Sequence, residues 1–179
     1  MPTCTPWTWI APAVQALWPA RCAVCEAHAK APGLCARCLE QAGPREGPRC
    51  RQCDQALPIE APAHRCGRCL ARAPAFERAW GVFDYAGPFG DALRHGKYGR
   101  RPEVIAGLGR ALRAHLPGEL LRAPPAAVVP VALHPRRVAR RRFDVPLVLA
   151  HAVAKGLGVP LARRALRRVH DTPEQAGLD

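Results

Sequence analysis

The stretch CAVCEAHAKAPGLCARC, residues 22–38, and its counterpart CRQCDQALPIEAPAHRCGRC, residues 50–69, decide how the chain begins to fold. Between them they hold eight of the nine cysteines as four C-x-x-C pairs: Cys22/Cys25, Cys35/Cys38, Cys50/Cys53 and Cys66/Cys69. Two thiolates two residues apart reach one metal ion from a tight turn, and two such pairs complete a tetrahedral Cys4 zinc site. The spacings C-x2-C-x9-C-x2-C and C-x2-C-x12-C-x2-C each have the length of a zinc ribbon. Sequential pairing within each ribbon is the default reading. Interleaved pairing, with the first and third pairs sharing one ion, needs longer crossovers. Cys4 stands outside the pattern as a spare thiol.

A closed Cys4 site is structural, because a catalytic zinc keeps one position open for water or substrate. Two zinc ions are therefore expected to fold this module. Its large apolar residues are few, chiefly Val24, Leu34, Leu39, Leu57, Ile59 and Leu70. A chain of that size lacks a sufficient core, and each structural zinc contributes about 10 to 16 kcal/mol. A disulfide framework would need an oxidising compartment. Residues 1–20 do not read as a signal peptide: they carry no Lys or Arg, and Pro6, Pro12 and Pro19 interrupt any apolar run. The expected location is cytoplasmic. Trp7, Trp9 and Trp18 on this segment are expected to pack against the zinc module rather than stack on bases.

Charge is the second bound. The chain carries 27 Lys plus Arg against 14 Asp plus Glu, a net +13, and residues 81–179 hold an excess of nine cations. Such a balance points to an anionic partner, either nucleic acid or a phosphorylated small molecule. Arg136, Arg137, Arg140, Arg141 and Arg142 form one run directly after an apolar segment.

After the cysteines, residues 70–74 read as a linker, and the alternation of Trp80 to Tyr85 predicts a strand. Gly87, Pro88 and Gly90 predict a turn, and Asp91 to Tyr98 a short helix. A stronger helix follows from Pro102, with Ile105, Leu108, Leu112 and Leu116 on one stripe, ending at Pro117-Gly118. Ala126 to Leu133 reads as a buried strand that becomes a loop near Pro130. Asp144 caps a helix with Pro146 in its first turn, running to about Gly156 or Gly158, and Val159 begins a further extended piece. This order implies an α/β sheet, with parallel strands.

At this point the chain resembles the ComF family, whose members are related to amidophosphoribosyltransferases and linked to DNA uptake in natural competence. The residues that carry the resemblance follow the paired C-x-x-C ribbons. They are Phe83-Asp-Tyr85-x-Gly87 with Leu93 and Lys97-Tyr98-Gly99, then Val129-Pro130-Val131-x-Leu133-His134-Pro135-Arg136-Arg137 with Arg141 and Phe143. Arg168-x-x-x-Thr172-x-x-Gln175-x-x-Leu178 comes last. The resemblance implies an N-terminal segment at 1–20, a double zinc ribbon at 21–72 and part of a type I phosphoribosyltransferase-like α/β domain at 76–179. Complete relatives are expected to transfer or bind phosphoribosyl groups with magnesium, or to assist the handling of single-stranded DNA.

Two departures qualify that expectation. Where the family has Gly-Phe-Asn-Gln, this chain has Arg142-Phe143-Asp144-Val145. The 179 residues also contain no adjacent acidic pair and no serine, so the acidic and Thr/Gly-rich loop that holds ribose and phosphate is missing. The chain is accordingly expected to be C-terminally truncated and inactive as a transferase. Lys97, His134, Arg136, Arg137 and Arg141 form the expected binding set for phosphate, pyrophosphate or nucleic acid. The expected partners are single-stranded DNA or a competence helicase, with weak binding of phosphoribosyl pyrophosphate. The competing classes are a zinc-ribbon interaction module without enzymatic activity and an inactive remnant.

Overall fold

A computed structural model describes residues 19–58, 62 and 64–172. Cys4, Trp7, Trp9, Trp18, Ile59, Gln175 and Leu178, all singled out above, lie outside the described residues. The helices are α1 (Ala36–Ala42), α2 (Gly67–Ala71), α3 (Gly87–Tyr98), α4 (Pro102–Ala114), α5 (Gly118–Arg122), α6 (Pro135–Arg141) and α7 (Val145–Leu157). No helix among the described residues is long and apolar enough to cross a membrane.

The apolar stripe of α4 forms the centre. Val104, Ile105 and Leu108 are fully buried, and α4 packs against both α3 and α7. Gly109 permits the close approach of α7, since a Cβ there would lie 2.9 Å from that of Ala152. Both ends of α7 match their sequence signals. The Asp144 carboxylate accepts the Leu147 N–H at 3.0 Å, Pro146 lies in the first turn, and Gly158 closes the helix in a left-handed conformation.

The first ribbon is built into this core. Ala23 is buried with Phe89, Ala92 and Ile105, while Val24, Leu34 and Ala42 pack against the same cluster. His95 Nδ1 donates to the Ala23 carbonyl at 2.8 Å, and Arg110 Nη2 donates to that of Pro32, also at 2.8 Å.

Four sequence expectations change. The turn at residues 87–90 is already the first turn of α3, with Ala86 as its N-cap and Pro88 near its start. Pro88 fits there because the first helical N–H groups need no partner. Trp80 to Tyr85 is not a strand, since its backbone groups bond to Asp54 of the second ribbon and to Arg45 just before that ribbon. Gly81 N–H donates to Asp54 Oδ2 at 2.8 Å, and the Val82 carbonyl accepts from Arg45 N–H at 3.0 Å. The arginine run after Pro135 is helical rather than a loop.

The expected sheet is reduced. Among the described residues only isolated bridges form, and the second apolar segment contributes one parallel bridge, Val128 to Leu161. Its two bonds run from Val128 N–H to Pro160 O and from Ala162 N–H to Val128 O, both at 2.9 Å. Pro130 has no N–H to continue the ladder.

Candidate metal centres and a basic cleft

The two ribbons repeat one local design. Cys22 and Cys50 open equivalent turns: Cys22 N–H bonds to Ala27 O at 2.8 Å and Cys50 N–H to Gln55 O at 2.9 Å. The residue after each turn's second cysteine is left-handed, Glu26 with φ 58° and Asp54 with φ 60°. The second pair of each ribbon straddles a helix start. Cys35 is the N-cap of α1, with Cys38 inside it; Cys66 and Cys69 hold the same places in α2.

This design brings the thiols together as two sequential sets, Cys22, Cys25, Cys35, Cys38 and Cys50, Cys53, Cys66, Cys69, each with all sulfurs within 4.8 Å of one another. The interleaved grouping is not the one formed. Cys25 and Cys35 sulfurs lie 3.6 Å apart, as do those of Cys53 and Cys66. A disulfide requires about 2.05 Å, whereas a tetrahedron of Zn–S bonds of about 2.3 Å has edges near 3.8 Å. The donor type, number and spacing therefore fit zinc.

Backbone and charge prepare some of these sulfurs as thiolates. At Cys50, the N–H groups of Cys53 and Cys66 hold the thiol down to about 5, the latter at 3.2 Å. At Cys22, burial opposes ionisation, but N–H groups of Cys25, Cys35 and Val24 bring the thiol down to about 6. Burial instead pushes Cys38 and Cys69 up to about 12. The Arg37 guanidinium is held in its charged form by the nearby sulfurs of the first set, Cys25 foremost, and offsets their charge.

The expected anion-binding residues are only partly united. His134 is the N-cap of α6, which carries Arg136, Arg137 and Arg141. His134 Nδ1 lies 3.6 Å from Asp171 Oδ1, and Arg136 Nη1 lies 4.0 Å from Asp171 Oδ2. Arg137 donates to the carbonyl of Thr172, whose hydroxyl is 2.5 Å from Arg168 Nη2. Lys97 instead contacts the hydroxyl of its neighbour Tyr98 at 3.2 Å.

Beside α6 lies a cleft of about 880 Å³, lined by residues 130–133, Pro135, the start of α7 and residues 161–168. Arg163, Arg164, Arg167 and Arg168 contribute to its wall. Sequence reasoning passed over these residues apart from Arg168. Their available signal was two arginine pairs in RRALRR, residues 163–168.

Residues 13–70 match the double zinc ribbon domain family. The chain is 33% identical over 153 residues to the DNA utilization protein YhgH of Salmonella typhimurium, covering 82% of this chain and 64% of that protein. It is 31% identical over 150 residues to YhgH of Escherichia coli K12, covering 80% and 63%. With competence protein F of Haemophilus influenzae it shares 27% identity over 164 residues, covering 88% and 69%. The chain thus spans less than two thirds of the length of the YhgH proteins it matches. No solved structure matches. Two sequential cysteine tetrads, in a chain most of which aligns with competence and DNA utilization proteins, support the resemblance to the ComF family.

Proposed function

We propose that this chain serves DNA utilization or uptake by binding single-stranded DNA through a basic region held on zinc-folded ribbons. The names of its relatives support that role, and the arginine-lined cleft beside α6 carries it. Guanidinium forks bind phosphate oxygens in pairs, which suits a nucleic-acid backbone or a pyrophosphate group. In this reading Arg136, Arg137 and Arg141 on α6 join the cleft arginines, with His134 at the start of that helix, while Lys97 is a separate cation on α3. Eight cysteines hold two structural zinc ions. A competence helicase is a second partner class.

Residues 76–179 are read as part of a phosphoribosyltransferase-like domain that binds phosphorylated groups without transferring them. Transfer needs groups fixed on both sides of the scissile bond, and no adjacent acidic pair occurs in the 179 residues to hold ribose or magnesium. Phosphoribosyl pyrophosphate is a weak ligand of the cleft.

Fluorescence anisotropy with labelled oligo-dT, repeated across salt concentrations, tests the reading. Affinity should fall steeply with salt, and replacing Arg163, Arg164 and Arg167 by Gln should weaken it. Failure to bind oligo-dT even at low salt would contradict the reading. Incubation with phosphoribosyl pyrophosphate, magnesium and nucleobases should release no pyrophosphate above background.

A further inference from the structure

The two ribbons share a design but not an environment. The first turn of ribbon one carries Ala23 and Val24, which join the helical core. At the equivalent places ribbon two carries Arg51 and Gln52. Gln52 is buried, donating from Nε2 to the Phe76 carbonyl at 3.2 Å, while Arg51 is exposed. The buried cluster of ribbon two is Cys50, Cys66 and Cys69, with Cys53 and Leu57 against it. Ribbon one is scaffold, and ribbon two faces outward.

Its outer surface is cationic. Arg51, Arg65, Arg68 and Arg72 are all exposed. Arg51 N–H bonds to His64 O at 3.1 Å, which sets the backbone of Arg51 beside that of Arg65. Arg68 and Arg72 lie one helical turn apart, joined by a backbone bond of 2.9 Å. None of the four forms an ion pair among the described residues. The carboxylate of Asp54, in the same ribbon, is already taken by Arg45 at 2.9 Å and by Gly81 N–H. Like charges one turn apart repel, so the surface is complementary to a polyanion. Leu70, on the same short helix, is 68% exposed.

We propose that the second ribbon grips the backbone of single-stranded DNA, with Arg51, Arg65, Arg68 and Arg72 each reaching a phosphate. The proposal rests on the DNA-binding reading above and adds a surface that the reading does not contain.

The test is the salt dependence of oligo-dT binding by the full chain. Each phosphate contact on a single strand contributes about 0.7 to the slope of log affinity against log salt. Replacing the four arginines by Gln should therefore reduce the slope by about 2.8, with zinc content unchanged. The matching four Arg→Lys changes should keep most of the slope, and Arg21→Gln with Lys30→Gln in ribbon one should leave it intact. A wild-type slope in the Gln variant would overturn this inference and leave the DNA reading standing. A wild-type chain that bound no DNA would sink both. Zinc loss in the Gln and Lys variants alike would make the arginines partners of the sulfurs, against the proposal. Competition by polyglutamate as strong as that by DNA would assign the surface to an acidic protein instead.

Discussion

Gly107 of α4 and Gly33 of the first ribbon meet backbone to backbone: a Cβ on Gly107 would lie 2.7 Å from Gly33 Cα and 2.0 Å from the Pro32 carbonyl oxygen. Gly33 itself has φ +131°, a conformation open to glycine and strained for other residues. The ribbon is thereby seated directly on the helix.

Gly107→Ala should force that seat apart. Overpacking of this kind costs about 1 to 3 kcal/mol, so the urea midpoint should fall while both tetrads keep their metal. An unchanged midpoint would show that the contact is loose.

The ribbons should differ in how firmly they hold zinc. Ribbon one shares the helical core, whereas the buried cluster of ribbon two is little more than its own cysteines and Leu57. Local opening is easier where few apolar contacts hold an element closed. Chelator challenge should release one zinc fast and one slowly, and Cys69→Ser should abolish only the fast phase. Loss of the slow phase in that variant would reverse the assignment.

Asp54 ties ribbon two to the segment before α3. It accepts from Arg45 Nη1 and from Gly81 N–H, at 2.9 and 2.8 Å, while Arg45 also reaches Asp84 at 2.7 Å. Asp54→Ala leaves these partly buried donors short of a partner, at a cost of about 1 to 3 kcal/mol. The Gly81 amide should exchange much faster with solvent in the variant. Equal exchange rates would mean that the bond contributes little.

Zinc uptake should release protons. Burial holds Cys38 and Cys69 up to about 12, so near neutral pH each is a neutral thiol in the metal-free ribbon. A zinc-bound cysteine is a thiolate, and that proton must leave. Affinity therefore rises with pH and falls on acidification. Calorimetry at pH 7.5 in buffers of different ionisation heat should show about one proton or more per zinc; heats independent of buffer would contradict this.

The metal sites were legible because C-x-x-C places two sulfurs on one turn whatever surrounds it, and because the short spacers favour sequential pairing. Helices α4 and α7 were legible from Pro102, Pro146, Asp144 and one continuous apolar stripe. Trp80 to Tyr85 misled, because alternating apolar residues look the same whether their backbone pairs with a strand or with Asp54 and Arg45. The wall at Arg163, Arg164 and Arg167 was missed for a related reason. Its place beside Pro130 and α7 depends on the Val128–Leu161 bridge, a contact across more than thirty residues that local pattern does not encode.

The central claim is that two closed zinc sites fold the N-terminal part of this chain, and native mass spectrometry of protein purified without chelator tests it most directly. The account predicts a mass increase of two zinc ions per chain, with the eight paired cysteines protected from alkylation until the metal is removed. A metal-free, folded chain with four disulfides among those cysteines would contradict it.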